Sequence, residues 1–239
     1  MRPENLLLID IETVPMEASY HALHPRMQSL WQKKSKLLEP ESTDFEETFF
    51  KRAGVYAEFG KIICIAVAHF EIQEGLYHLH LKYFNDVDEK KLLQTFTEYC
   101  NSFFKKPSLQ FCGHNIREFD IPYICRRCLI QGVKLPLVLN DLQQRKPWEN
   151  PMLDTMQFWK FGEFKHFTSV DLLAAILGIP SPKTDINGAD VAGVYWKKND
   201  LARITRYCLQ DVVTVAQILM RLNELELLEE KQINLPLTE

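Results

Sequence analysis

Residues 6–15 read LLLIDIETVP, an apolar run interrupted by Asp10 and Glu12 two positions apart. A short, continuously apolar segment of this kind has the pattern of an interior strand covered on both faces. Residues i and i+2 of a strand share a face, so the two carboxylates converge. Like charges held together in an apolar setting repel and lose hydration. They need something positive nearby, or raised pKa values, or divalent cations. The plainer alternative puts both acids in solvent at the carboxyl end of the strand, where Thr13, Val14 and Pro15 begin a loop.

Beyond this strand, KIICIAVAHFEI (61–72) and LYHLHLKYF (76–84) are β-rich runs separated by Gln73, Glu74 and Gly75, a hairpin pattern. Residues 88–106 carry Leu92, Leu93, Phe96, Tyr99 and Phe103 at helical spacing. A short strand at 108–115 precedes a helix over about 120–131, and a short apolar piece at 150–161 carries Asp154. A helix at about 168–177 stops at Gly178 and Pro180, a loop follows over 180–193, and the last long helix is expected over about 200–230. This order predicts an α/β fold whose sheet is antiparallel in its first strands and then parallel, flanked by helices. Residues 16–58 interrupt the alternation. Thr43 and Glu46 have capping-box spacing there, ahead of a helix through Phe49 and Phe50. The segment is expected to be an ordered insertion, a lid or substrate wall, in one domain spanning 1–239.

Composition excludes several classes. The 239 residues are 46% hydrophobic and 25% charged, and no run approaches the 18 or so apolar residues of a membrane span. The start has no signal-peptide layout, so a soluble, cytoplasmic protein with no membrane association is expected. A net charge of −4 supplies no global basic field. A nucleic-acid partner would need local basic patches, or metal ions that reverse the sign of an acidic pocket. The six cysteines lie in apolar stretches and read as core thiols, the Cys125/Cys128 CxxC included.

Near the far end, YCLQD (207–211) lies on a helix whose apolar stripe runs through Leu201, Ile204, Cys208, Val212, Val215 and Leu219. The i, i+4 spacing sets the Tyr207 phenol beside the Asp211 carboxylate. Pairing of Asp211 with Arg203 or Arg206 is the plain alternative. In the middle, GHNIREFDIPYI (113–124) passes from a strand end through Asn115 into a helix, where Asp120 could be an N-cap or a fourth acid at a strand-to-helix junction. Asp154 is read as a supporting or structural residue, His114 as packed and hydrogen-bonded, and His78 and His80 as one solvated strand face.

DIET at 10–13, NIREFD at 115–120 and YCLQD at 207–211 together resemble the three motifs of the DEDD exonuclease superfamily. The tyrosine four residues before the last acid marks the DEDDy branch; the DEDDh branch has a His where this chain has Arg206. FGKIICIAVA and SVDLLAAILGIPSPKTDINGADV extend the likeness to the proofreading 3′-5′ exonuclease domain of family B DNA polymerases, in stand-alone form.

That resemblance implies a ribonuclease H-like fold in which Asp10, Glu12, Asp120 and Asp211 bind two divalent cations, Mg²⁺ or Mn²⁺, with Asp10 bridging both. It implies 3′-5′ exonuclease activity releasing nucleoside monophosphates from single-stranded DNA, with RNA the alternative substrate and a non-catalytic nucleic-acid-binding module the alternative of another class. No covalently linked polymerase domain is expected. Tyr207, with an unperturbed pKa near 10, is cast as orienting the attacking water rather than as a base. Thr13, Asn115 and Phe119 are the candidates to grip the terminal nucleotide, with core packing the alternative for Phe119. Arg117, Lys165 and Lys183 are candidates to track the strand backbone, whereas Arg126, Arg127, Lys197 and Lys198 are expected to be solvated charge.

Overall fold

A computed structural model describes residues 2–165, 167–180 and 185–237. Six strands form one sheet in the order β5-β4-β1-β2-β3-β6: β1 Leu6–Pro15, β2 Gly60–Gln73, β3 Leu76–Asn85, β4 Gln110–Gly113, β5 Met152–Asp154 and β6 Ile233–Asn234. β1, β2 and β3 pair antiparallel, while β4 joins β1, β5 joins β4 and β6 joins β3 in parallel. The expected mixed sheet, antiparallel first and then parallel and flanked by helices, is the one observed.

β1 is central because both of its faces are apolar. Leu7, Ile9 and Ile11 pack with Phe96, Ile121 and Ile124 of the helices α3 Glu89–Phe103 and α4 Asp120–Gln131. Leu6 and Leu8 pack with Cys208, Val212 and Val215 of α8 Leu201–Leu222 on the other side. The face of Leu6 and Leu8 continues into Asp10 and Glu12, so the strand aims its acids at α8. A register shift between Glu12 and Thr13 marks a bulge in the β1/β2 pairing, a device that bends a strand and redirects its side chains.

Two helices, α1 Pro25–Leu38 and α2 Phe45–Arg52, occupy the segment between β1 and β2. They close around Tyr20, Leu23, Trp31, Phe49, Ala53 and Phe59. The cap of α2 differs from the expected one by a residue. Asp44, not Thr43, accepts the Glu47 N–H at 2.9 Å, and Glu46 instead accepts the Tyr20 N–H at 2.9 Å. The shift lets Glu46 tie the helix to the chain that leaves β1.

Three short helices complete the fold: α5 Thr155–Lys160, α6 Val170–Ile176 and α7 Val191–Lys198. α8 ends at Leu222, eight residues before the expected end. The Asn223 amide donates to the Leu219 carbonyl at 2.7 Å, and Glu224 takes a left-handed φ of 57°. Gln217 then clamps the returning chain through both its amide atoms on the Leu228 backbone, at 2.8 and 2.9 Å. No helix among the described residues is long and apolar enough to cross a membrane.

Candidate active site

The carboxyl end of β1 gathers the acids. Asp10 is half-buried and Glu12 is 8% exposed. Asp120, 3% exposed, reaches them from the first residue of α4 and accepts the Ile11 N–H at 3.1 Å. It is therefore not the helix cap suggested by its position; Phe119 occupies that place without a side-chain cap. β4 pairs with β1 only as far as Leu8, so Asp120 takes over as acceptor for the β1 edge beyond it. Asp211 and Tyr207 come from α8 with the phenol hydrogen-bonded to the carboxylate.

No Lys or Arg among the described residues forms an ion pair with any of the four acids. Arg203, a possible partner of Asp211, instead pairs with Asp185 at 2.8 Å. The electrostatic consequence is uniform. Burial, then the charges of Asp120, Asp211 and Glu12, holds the Asp10 carboxyl well above its usual range. Burial and Asp211 do the same to Glu12. Burial raises Asp120 to about 7 and Asp211 to about 6, the latter against the lowering effect of the Tyr207 hydroxyl. Burial and the acids push the Tyr207 phenol upward, so it stays protonated and donates.

Four converging carboxylates without a cationic partner among the described residues are a donor set for a hard divalent cation, which prefers oxygen ligands. The ligand atoms of Asp10, Glu12 and Cys208 lie within 4.8 Å of one another. The Cys208 thiol donates to Asp10 Oδ2 at 3.4 Å, so it backs the aspartate from the apolar side. Its place on the α8 stripe one residue after Tyr207 was visible in the sequence; its contact with Asp10 was not.

Beside the acids lies a cavity of about 280 Å³. Its lining includes Glu12, Thr13 and Phe119, then Phe50, Lys51, Gly54 and Val55, and Gly188 and Ala189. Thr13 and Phe119 thus meet in one cavity, while Asn115 does not line it. Asn115 has a left-handed φ of 65°, and its Oδ1 is buried without a hydrogen-bond partner.

The remaining candidates separate cleanly. Asp154 accepts backbone N–H groups of Asn115, Arg117, Met156 and Gln157, which fixes the Asn115 turn to the start of α5. His114 bonds Thr155 Oγ1 at 2.9 Å and the Thr168 carbonyl at 2.6 Å. Arg117 donates to the Met152 carbonyl, Lys165 is exposed, and Lys183 lies outside the described residues. His78 and His80 are half-buried rather than solvated, with His80 stacked on His69. Burial raises the Cys125 and Cys128 thiols to about 11 and 12, and both pack with the α3/α4 core.

Arg127 corrects the expectation of solvated charge. It is 2% exposed and bonds Glu89 through Nε at 2.8 Å and Nη2 at 2.5 Å. Its Nη1 holds the Ala57 carbonyl at 2.8 Å, and Tyr123 holds the Gly54 carbonyl at 2.8 Å. α4 thereby fixes the chain that walls the cavity.

A mixed sheet with an acidic centre at the end of its central strand defines an α/β fold of the ribonuclease H-like kind. Residues 55–233 match the family model described as a predicted 3′-5′ exonuclease related to the exonuclease domain of PolB, and the chain belongs to that family. The match includes Asp120, Tyr207 and Asp211 and starts after β1; the fold supplies Asp10 and Glu12 to the same centre. No curated protein matches the chain.

Proposed function

We propose that the chain is a metal-dependent 3′-5′ exonuclease of the DEDDy type that removes nucleoside monophosphates from single-stranded DNA. The observation that carries this reading is the convergence of Asp10, Glu12, Asp120 and Asp211 without a Lys or Arg partner among the described residues, beside a protonated Tyr207. The family's relation to the exonuclease domain of PolB favours DNA over RNA. Its six free cysteines suit a reducing, cytoplasmic setting.

In this reading the four carboxylates hold two Mg²⁺ or Mn²⁺ ions. Such a pair supplies positive charge to the attacking and leaving oxygens of an in-line displacement at phosphorus. Asp10 faces Glu12, Asp120 and Asp211 at once and would hold the cations together with them. Asp120 is held by Ile11, so its carboxylate is placed before any cation arrives. Tyr207 donates its hydroxyl to orient the attacking water, because a phenol raised above its ordinary pKa is no base at neutral pH. Thr13 and Phe119 receive the terminal nucleoside in the 280 Å³ cavity, which Asn115 does not reach.

Chain 1–239 then acts as one exonuclease domain, with 16–58 inserted so that Phe50 and Val55 wall the terminal-nucleotide cavity. The test is digestion of 5′-end-labelled single-stranded DNA and RNA of matched sequence with Mg²⁺ or Mn²⁺, with and without EDTA. The expected result is a ladder shortening from the 3′ end of the DNA that EDTA stops. Cleavage of RNA alone would transfer the activity to RNA processing, and cleavage of neither with any divalent metal would leave a binding module.

A further inference from the structure

All four exposed phenylalanines among the chain's fifteen lie in one ten-residue stretch. Phe158 is 40% exposed, Phe161 82%, Phe164 95% and Phe167 69%. They recur every third residue, with the half-buried Lys160 and the exposed Lys165 between them. Phe161 and Gly162 take left-handed φ values of 47° and 88°, which ends α5 and turns the chain out of it.

The stretch is anchored beside the candidate site. One imidazole holds both of its ends, because His114 meets Thr155 before it and Thr168 after it. His114 directly precedes Asn115, on the turn that leads to Asp120. The aromatic strip is thus tied through His114 to the strand-to-helix turn that leads to Asp120.

Aromatic faces left in water beside a nucleic-acid site have a chemical counterpart in unpaired bases. Base-on-aromatic stacking tolerates any sequence, and lysines set between the rings meet the phosphates. A protein with a net charge of −4 has no global field to retain a polyanion, so away from any cations local contacts of this kind are needed. We propose that Phe161, Phe164 and Phe167, with Lys160 and Lys165, form a stacking track for the single-stranded nucleic acid that trails the 3′ terminus. The inference rests on the nucleic-acid substrate proposed above and extends it to nucleotides beyond the scissile bond.

The track makes affinity depend on strand length. Fluorescence anisotropy of labelled oligo(dT) of 4 and 15 nucleotides, in EDTA so that nothing is cleaved, measures this directly. The native chain binds the 15-mer more tightly than the 4-mer, and Phe161→Ser/Phe164→Ser/Phe167→Ser weakens the 15-mer by roughly tenfold or more, so that the preference collapses. Lys160→Glu/Lys165→Glu flattens the salt dependence of 15-mer binding. Because Phe161, Phe164 and Phe167 are exposed, the triple variant keeps the native melting temperature.

A triple variant that binds the 15-mer as tightly as the native chain overturns the track. If it does so while losing a self-association seen by sedimentation, the strip is a contact between copies of the chain instead. The proposed exonuclease activity is read separately by digestion. Length-dependent binding lost in the variant, with no cleavage by the native chain, would sustain the track and reject the activity.

Discussion

The backbone N–H of Ile11 donates to the carboxylate of Asp120 across 109 positions of sequence, at 3.1 Å. Ile11 stands between Asp10 and Glu12, so this one bond sets the spacing between the acids of the strand and the acid of α4. It also resolves two needs at once: the β1 edge gains an acceptor where β4 ends, and a buried carboxylate gains a donor.

The bond predicts unlike outcomes for two substitutions of Asp120. Asn retains an oxygen for Ile11, whereas Ala leaves a buried N–H without a partner. Asp120→Ala should be less stable than Asp120→Asn by about 1–3 kcal/mol in urea unfolding. Both should lose nuclease activity by about a hundredfold or more, since each lacks the charge that holds a cation. Equal stabilities would show that Ile11 finds another acceptor.

The acid cluster predicts how stability responds to pH. Asp120 and Asp211 titrate in the folded chain near 7 and 6, above the ordinary value of 3.8. A carboxyl raised by folding is neutral and untroubled at low pH, and its ionisation disfavours the folded state as pH rises through the folded pKa. The metal-free protein should therefore melt at a lower temperature at pH 8 than at pH 5. Mn²⁺ should raise the melting temperature more at pH 8, where it meets carboxylates rather than carboxylic acids. Thermal scans at both pH values, in EDTA and in Mn²⁺, read the effect; Asp211→Asn should flatten it. A melting temperature independent of pH in EDTA would refute the cluster's titration.

Much of this was legible because it is local. The apolar runs around Asp10 and Glu12 specify an interior strand, and the spacing of Tyr207 and Asp211 specifies one helix face. What escaped depends on contacts far apart in sequence. Asp120 looks like a cap until Ile11 is beside it, and Asp44 and Thr43 are adjacent acceptors that only the Tyr20–Glu46 bond distinguishes. Arg127 was the avoidable miss. It lies three and four residues after Ile124 and Tyr123, on the face α4 buries, whereas Arg126 points away.

Tyr207→Phe tests the division of labour in the site. The ring keeps its packing, and only the hydroxyl that bonds Asp211 is lost. Turnover on single-stranded DNA should fall roughly ten- to a hundredfold, as expected when an attacking group loses its orientation. The melting-temperature rise in Mn²⁺ should remain, because the four carboxylates are intact. Unchanged turnover would remove Tyr207 from the chemistry.

The Glu89–Arg127 pair links stability to the cavity wall. Glu89 also accepts the Ile62 N–H and the Gln131 amide, both at 2.7 Å, so four donors share one buried carboxylate. Removing Arg127 strands that charge in the α3/α4 core. Arg127→Ala should destabilise the chain by about 3–5 kcal/mol, and Glu89→Gln/Arg127→Met should recover part of the loss because it removes both charges together. The same guanidinium holds Ala57, and Tyr123 holds Gly54, so the backbone that carries Val55 loses a support when Arg127 is cut back. KM for single-stranded DNA should then rise by a larger factor than kcat falls, at a temperature where the variant is folded. Denaturant unfolding and steady-state kinetics separate the two effects. A variant of native stability would disprove the pair's burial, and a fall in kcat alone would disconnect Arg127 from the cavity wall.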